Sequence, residues 1–206
     1  MRIGIDFDNT LASYDHVFTA LAVERGWIGE PSGVTKQSLR ERVRLLPNGE
    51  ILWQRLQGEV YGPRMQQAIQ FDGVDAFLRR AAATPACQLF IVSHKTEFGH
   101  FDETGCNLRT AARQWMHRLG YFDPAIYALA ENQVFFEATQ QAKAERIASL
   151  NCDYFIDDLL EFFSNPAFPA ATLKILYSSA APNLEHRQVD YVCANWQAIE
   201  AIVFGN

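Results

Sequence analysis

Ile3-Gly4-Ile5-Asp6-Phe7-Asp8-Asn9-Thr10-Leu11 sets two acids at the end of a short apolar run. Unbroken apolar runs are what parallel strands buried on both faces look like, and in open α/β sheets ligands sit beyond the carboxyl ends of such strands. Asp6 and Asp8 fall at that end. Two carboxylates one residue apart repel each other unless a cation or a shared proton separates their roles. The stretch therefore has two readings: a strand that delivers acids to a divalent ion, or a strand closed by ordinary turn acids. The later segments have to decide between them.

After Leu11 the pattern turns helical. Tyr14 to Gly26 carries apolar residues at Val17 and Leu21 before a glycine stop, and Thr35 is placed to cap a second helix through Leu46. Pro47-Asn48-Gly49 marks a turn, a third helix is expected from about Glu50 to Tyr61, and Pro63 is suited to start a short fourth one reaching Gln70. No strand is evident in this region. About 60 residues is too much for a simple crossover, whose loops usually hold 2–6, so 13–70 reads as an inserted helical cap.

From Gly73 strands and helices alternate. Helices are expected at Val74–Ala83, Leu108–Leu119, Thr139–Leu150 and Trp196–Val203, the last capped by Asn195. Strands are expected at Leu89–Val92, Gln133–Phe136, Tyr154–Ile156 and Leu173–Tyr177, with an edge strand at Val189–Val192. This alternation predicts a Rossmann-like three-layer α/β/α fold on a parallel sheet, built from 1–12 and 71–206.

Composition narrows the function. With 206 residues, 49% hydrophobic and 20% charged, the chain suits a soluble globular protein that buries a sizeable core. A net charge of −6 speaks against nucleic acid as the main partner. Cys87, Cys106, Cys152 and Cys193 match no zinc or redox spacing, which predicts reduced thiols. The chain opens on a strand without a charged-then-apolar leader, and no apolar run is long enough to span a bilayer. A cytoplasmic protein with no membrane partner is expected.

Three expected strands end in polar groups: Asp6 and Asp8, Ser93, and Asp157 with Asp158. In a parallel sheet those ends share one edge. Carboxylates converging with a hydroxyl and a lysine suit Mg²⁺, which takes one or two protein carboxylates, waters and phosphate oxygens. Asp-Phe-Asp-Asn-Thr-Leu after a strand, a strand ending in Ser93, Lys143 in a later helix, and Phe-Ile-Asp-Asp closing a fourth strand resemble, in order, the four motifs of the haloacid dehalogenase-like superfamily. The resemblance covers nearly the whole core, and 13–70 lies where that superfamily carries its first type of cap. Asn9 stands where glycine is common, and asparagine tolerates unusual backbone angles.

The resemblance implies a Mg²⁺-dependent phosphomonoester hydrolase acting on a small soluble phosphorylated metabolite. In it Asp6 attacks phosphorus and forms an aspartyl phosphate. Asp8 protonates the departing alcohol and then activates water, and its carbonyl touches the metal. Asp157 joins Asp6 on Mg²⁺, with Asp158 a further or outer ligand. Thr10, Ser93 and Lys143 hold phosphoryl oxygens or orient the acids, with the main-chain N–H groups of Phe7 and His94 as added donors. A phosphotransferase or mutase differs only in the acceptor, and a catalytically silent binding or regulatory domain could keep the same fold. A dehalogenase does not need the proton carrier that Asp8 supplies.

Each residue also has a plainer reading. Ser93 can begin a turn, and Asp157 with Asp158 can cap a helix. Lys143 in Gln-Ala-Lys-Ala-Glu-Arg alone reads as a solvated helix face. For His94, Lys95, His100 and Asp102 a solvated loop is the better reading. The basic residues Lys36, Arg40, Arg42, Arg44, Arg55 and Arg64 of the insertion are nearly balanced by acids and read as surface charges, while Trp27, Trp53 and Tyr61 read as core.

Overall fold

A computed structural model of the chain describes residues 1–30, 33–101, 104–127, 129–178 and 188–205. The strands are β1 (Arg2–Ile5), β2 (Ala12–Ser13), β3 (Ile69–Gln70), β4 (Gln88–His94), β5 (Val134–Glu137), β6 (Tyr154–Asp157), β7 (Leu173–Tyr177) and β8 (Tyr191–Cys193). The helices are α1 (Asp15–Glu24), α2 (Lys36–Arg44), α3 (Gly49–Tyr61), α4 (Val74–Ala83), α5 (Leu108–Arg118), α6 (Gln140–Ser149) and α7 (Trp196–Phe204).

β1 lies inside a six-stranded sheet of order β5-β4-β1-β6-β7-β8. Every pair in it is parallel. The apolar run of β1 is explained by this place: Ile3 and Ile5 are fully buried, and hydrogen-bonded strands flank it on both sides. Gly4 faces the ring of Phe155, so close that a Cβ would stand 2.6 Å from it. Alternation along the strands puts Phe90, Val92, Phe155 and Leu176 in one cluster with Ala144 and Ile147 of α6. α4 and α7 pack together through Phe77, whose ring lies 5.0 Å from that of Trp196. The architecture is the predicted Rossmann-like α/β/α fold.

The chain divides into two compact units. One comprises Met1–Ala12, Gln70–Lys95 and Leu119–Asn206, and holds the six-stranded sheet; the other comprises Ser13–Ile69 and Thr96–Arg118. The sequence reading sets only 13–70 apart, because the helical pattern of 108–119 is equally at home in either kind of unit. The second unit is helical, with an aromatic centre: the Phe18 and Trp53 rings stack at 5.3 Å, and Tyr14 meets Tyr61 at 4.9 Å. Trp53 is core, as its sequence reading has it. Thr35 caps α2 by accepting from the Ser38 N–H at 3.1 Å. In place of the expected helix from Pro63 to Gln70 there is a single tight turn at Met65–Gln67, followed by β3. β2 and β3 form a separate two-stranded sheet. Two residues are too few for alternation to show, so the sequence gives no sign of either strand. No helix among the described residues is long and apolar enough to cross a membrane.

Candidate active site

The hydrogen-bond ladder of β1 runs one residue past its last paired position: the Asp6 N–H donates to the Ile156 carbonyl at 2.9 Å. Because Ile5 pairs with Ile156, Asp6 and Asp157 leave neighbouring strands at the same level and at the same edge. β4 ends there as well, with Ile91 paired to Ile5 and Ser93 two residues on. The three polar strand ends thus meet in one pocket of about 160 Å³, lined by Asp6, Asp8, Ser93, Lys143, Asp157 and Asp158. Asn9 holds a left-handed φ of 58°, which lets the chain turn sharply after Asp8.

Asp6, Ser93, Lys143 and Asp157 are all buried. The Lys143 ammonium donates to Asp6 Oδ1 and to Asp157 Oδ2, both at 2.6 Å. The Phe162 ring lies beneath it, 4.3 Å from Nζ to centroid. Asp157 Oδ1 also accepts from the Leu159 N–H at 2.9 Å, a local turn bond; neither acid caps the short helix at Leu160–Ser164, which Leu159 precedes without a side-chain cap. Removing ions from water costs several kcal/mol each, and only close pairing offsets it. Here one ammonium serves two carboxylates. Burial, aided by the Asp157 carboxylate and opposed by Lys143, pushes the Asp6 carboxyl up from 3.8 to about 7. Burial acts to lower the Lys143 pKa, and the Asp157 and Asp6 carboxylates more than reverse it, so the net shift is upward.

Carboxylate oxygens of Asp6, Asp157 and Asp158 lie within 4.8 Å of one another. That spacing fits three oxygens around a divalent cation, since ligands at 2.0–2.1 Å stand about 3–4 Å apart across an octahedral shell. With all groups ionised, Asp6, Asp8, Asp157 and Asp158 exceed Lys95 and Lys143 by two negative charges, the charge of one such ion. The donor set is all oxygen, which suits Mg²⁺ over zinc. Thr10 is fully buried, and its hydroxyl donates to Asp158 Oδ1 at 3.4 Å. His94 borders the pocket and is exposed, with Nε2 3.2 Å from the Ala138 carbonyl oxygen.

Lys95 is the residue that the sequence reading misses. It is 3% exposed, and its ammonium donates to both oxygens of Asp8, at 2.9 and 2.8 Å. A signal was present. Strand alternation carried past Val92 puts Ser93 and Lys95 on one side and His94 on the other, which is the burial observed. Lys143 had a comparable signal, lying four residues before Ile147 on the buried face of α6 and not on its solvated one. The side chain of Asp8 goes to Lys95 and is not among the three clustered acids. Asp102 lies outside the described residues.

No protein-family model matches the sequence, and a search of curated proteins finds no match. Solved structures do match over nearly the full length. A HAD-family hydrolase from Deinococcus radiodurans R1, crystallised with bound phosphate and sodium, is 12% identical with a TM-score of 0.56, covering 98% of this chain and 93% of that one. A haloacid dehalogenase-like protein of unknown function from Agrobacterium tumefaciens is 14% identical with a TM-score of 0.59, covering 98% and 96%. A haloacid dehalogenase-like hydrolase from Streptococcus pneumoniae is 13% identical with a TM-score of 0.54, covering 98% and 97%. At such identities the likeness is one of fold. Its breadth, together with strand ends that deliver the acids to one edge, leads to one conclusion: the chain has the fold of the haloacid dehalogenase-like superfamily.

Proposed function

We propose that the protein is a Mg²⁺-dependent phosphomonoester hydrolase that acts on a small phosphorylated metabolite through an aspartyl phosphate on Asp6. The observation that carries this reading is the buried Asp6–Lys143–Asp157 group opening on a pocket that also holds Asp8 and Asp158. In this reading 1–12 and 71–206 carry the chemistry, and 13–70 are the cap that selects the substrate. The protein works in a reducing, cytoplasmic setting, which the thiols of Cys87, Cys152 and Cys193 suit.

Asp6 is the nucleophile. Its oxygen attacks phosphorus while the bond to the alcohol oxygen breaks, and Asp8 gives that oxygen its proton. Water then attacks the phosphorus of the aspartyl phosphate, Asp8 takes a proton from it, the bond to Asp6 breaks, and inorganic phosphate leaves. Lys143 keeps Asp6 and Asp157 apart yet fixed, and with Ser93 supplies donors near the phosphoryl oxygens, while Thr10, fully buried, orients Asp158. Asp6, Asp157 and Asp158, with the Asp8 carbonyl, would hold Mg²⁺. When bound, the ion supplies charge against the repulsion between carboxylate and phosphate, about 4 kcal/mol per charge pair at 4 Å and an effective dielectric near 20.

The test is release of phosphate from p-nitrophenyl phosphate and from a panel of phosphorylated metabolites. Wild type is expected to release it with Mg²⁺ and to fall to background in EDTA. Asp6→Asn is expected to stay at background with Mg²⁺ present. Equal activity in that variant would overthrow the nucleophile, and silence of wild type across the panel would favour a binding domain.

A further inference from the structure

We propose that Lys95 is a positioning residue that holds the Asp8 carboxyl group in the orientation from which, once protonated, it gives its proton to the departing alcohol. This rests on the phosphatase reading above.

The pair joins two strand ends. Lys95 follows β4, where its N–H still donates to the Glu137 carbonyl at 2.9 Å, so its main chain is tied into the sheet. Asp8 lies past the end of β1, the neighbour of β4, beyond the last ladder bond. Its side chain is 20% exposed at the pocket, whereas that of Lys95 is 3% exposed. An aspartate on a turn has free rotation about its terminal bond unless something holds both oxygens. One ammonium at 2.9 and 2.8 Å from the two oxygens does that. The same ammonium also lies over the Phe7 ring, with Nζ 5.5 Å from its centroid.

Stability alone is a poor reason for this arrangement. A buried ion pair is usually matched or bettered by apolar side chains of similar volume, while one left without its partner is costly. A lysine buried to reach an acid that borders the pocket is better explained by what that acid must do. Asp8 has to deliver a proton to one oxygen and later take one from a water, and an error of about 1 Å in such a group costs on the order of 100-fold.

The experiment compares two substrates that differ in how much they need the proton: p-nitrophenyl phosphate, whose leaving group departs readily as an anion, and the best aliphatic phosphate of the panel. kcat/KM reports the step in which the alcohol leaves. Asp8→Asn is expected to lose about 100-fold or more on the aliphatic substrate and far less on the aryl one. Lys95→Met is expected to show the same skew, and the double variant to be no worse than Asp8→Asn alone. Lys95→Arg is expected to recover part of the loss, and it carries the test if Lys95→Met shows no cooperative melt. Equal losses on both substrates, no loss on either, or losses that multiply in the double variant would overturn the role of Lys95 and leave the phosphatase reading standing. Wild type inactive on every phosphate, or Asp6→Asn as active as wild type, would instead remove that reading and this inference with it.

Discussion

Lys143 is the residue on which the site's electrostatics turns, since its single charge serves two buried carboxylates. Lys143→Met leaves Asp6 and Asp157, both buried, facing each other without their shared counter-charge. It is expected to cost about 3–5 kcal/mol in urea unfolding without metal, and to abolish phosphate release. Adding Asp6→Asn to that variant should recover part of the stability by removing one of the stranded charges. The thiols make a second prediction at this scale. Burial pushes Cys152 from its usual 9.0 up to about 12, and Cys193 up to about 11. A thiol that stays protonated does not attack. Both are expected to resist iodoacetamide at pH 8 in the native protein and to label on unfolding, which peptide mapping would read. What these protonated thiols contribute to stability is whole below pH 9 and is lost as pH rises through 11 to 12.

β1 and α6 are two of the elements that place the site. β1 is central and tolerates no added volume on one face, because a Cβ at Gly4 would meet the Phe155 ring at 2.6 Å. Gly4→Ala is expected to cost about 1–3 kcal/mol by overpacking, seen as a lower denaturation midpoint. α6 carries Lys143 and is capped by Thr139, whose hydroxyl accepts from the Ala142 N–H at 3.0 Å. Thr139→Ala removes that cap and is expected to cost about 1 kcal/mol, measured as a fall in the melting temperature. The elements were also what the sequence announced best. The expected helix at 74–83 is α4 to the residue, because Gly73 before it and the apolar spacing within it agree. Agreement failed where a signal needs length, as in the two-residue strands β2 and β3.

For the whole molecule, a cation held by the acid-rich pocket would couple its binding to folding. A ligand that binds only the folded state adds about 2.7 kcal/mol when present at a hundred times its dissociation constant. Mg²⁺ is therefore expected to raise the melting temperature of the wild type in a concentration-dependent way. Asp157→Asn, which removes one of the three clustered acids, should flatten that response even where its melt without metal resembles the wild type. Scanning calorimetry across a Mg²⁺ series would measure both.

The sequence by itself determined the class of fold and which acids stand at the ends of strands. An apolar run ending in Asp6 and Asp8, and later runs ending in Ser93 and in Asp157-Asp158, carry that information in consecutive residues, where period and spacing can be read. Only the tertiary structure decided what each acid is paired with. Lys95 and Asp8 are 87 positions apart and Lys143 and Asp6 are 137. Strand alternation and helix face mark Lys95 and Lys143 as buried positions, but not what accounts for their charge, because each partner is brought within 3 Å only by the sheet order.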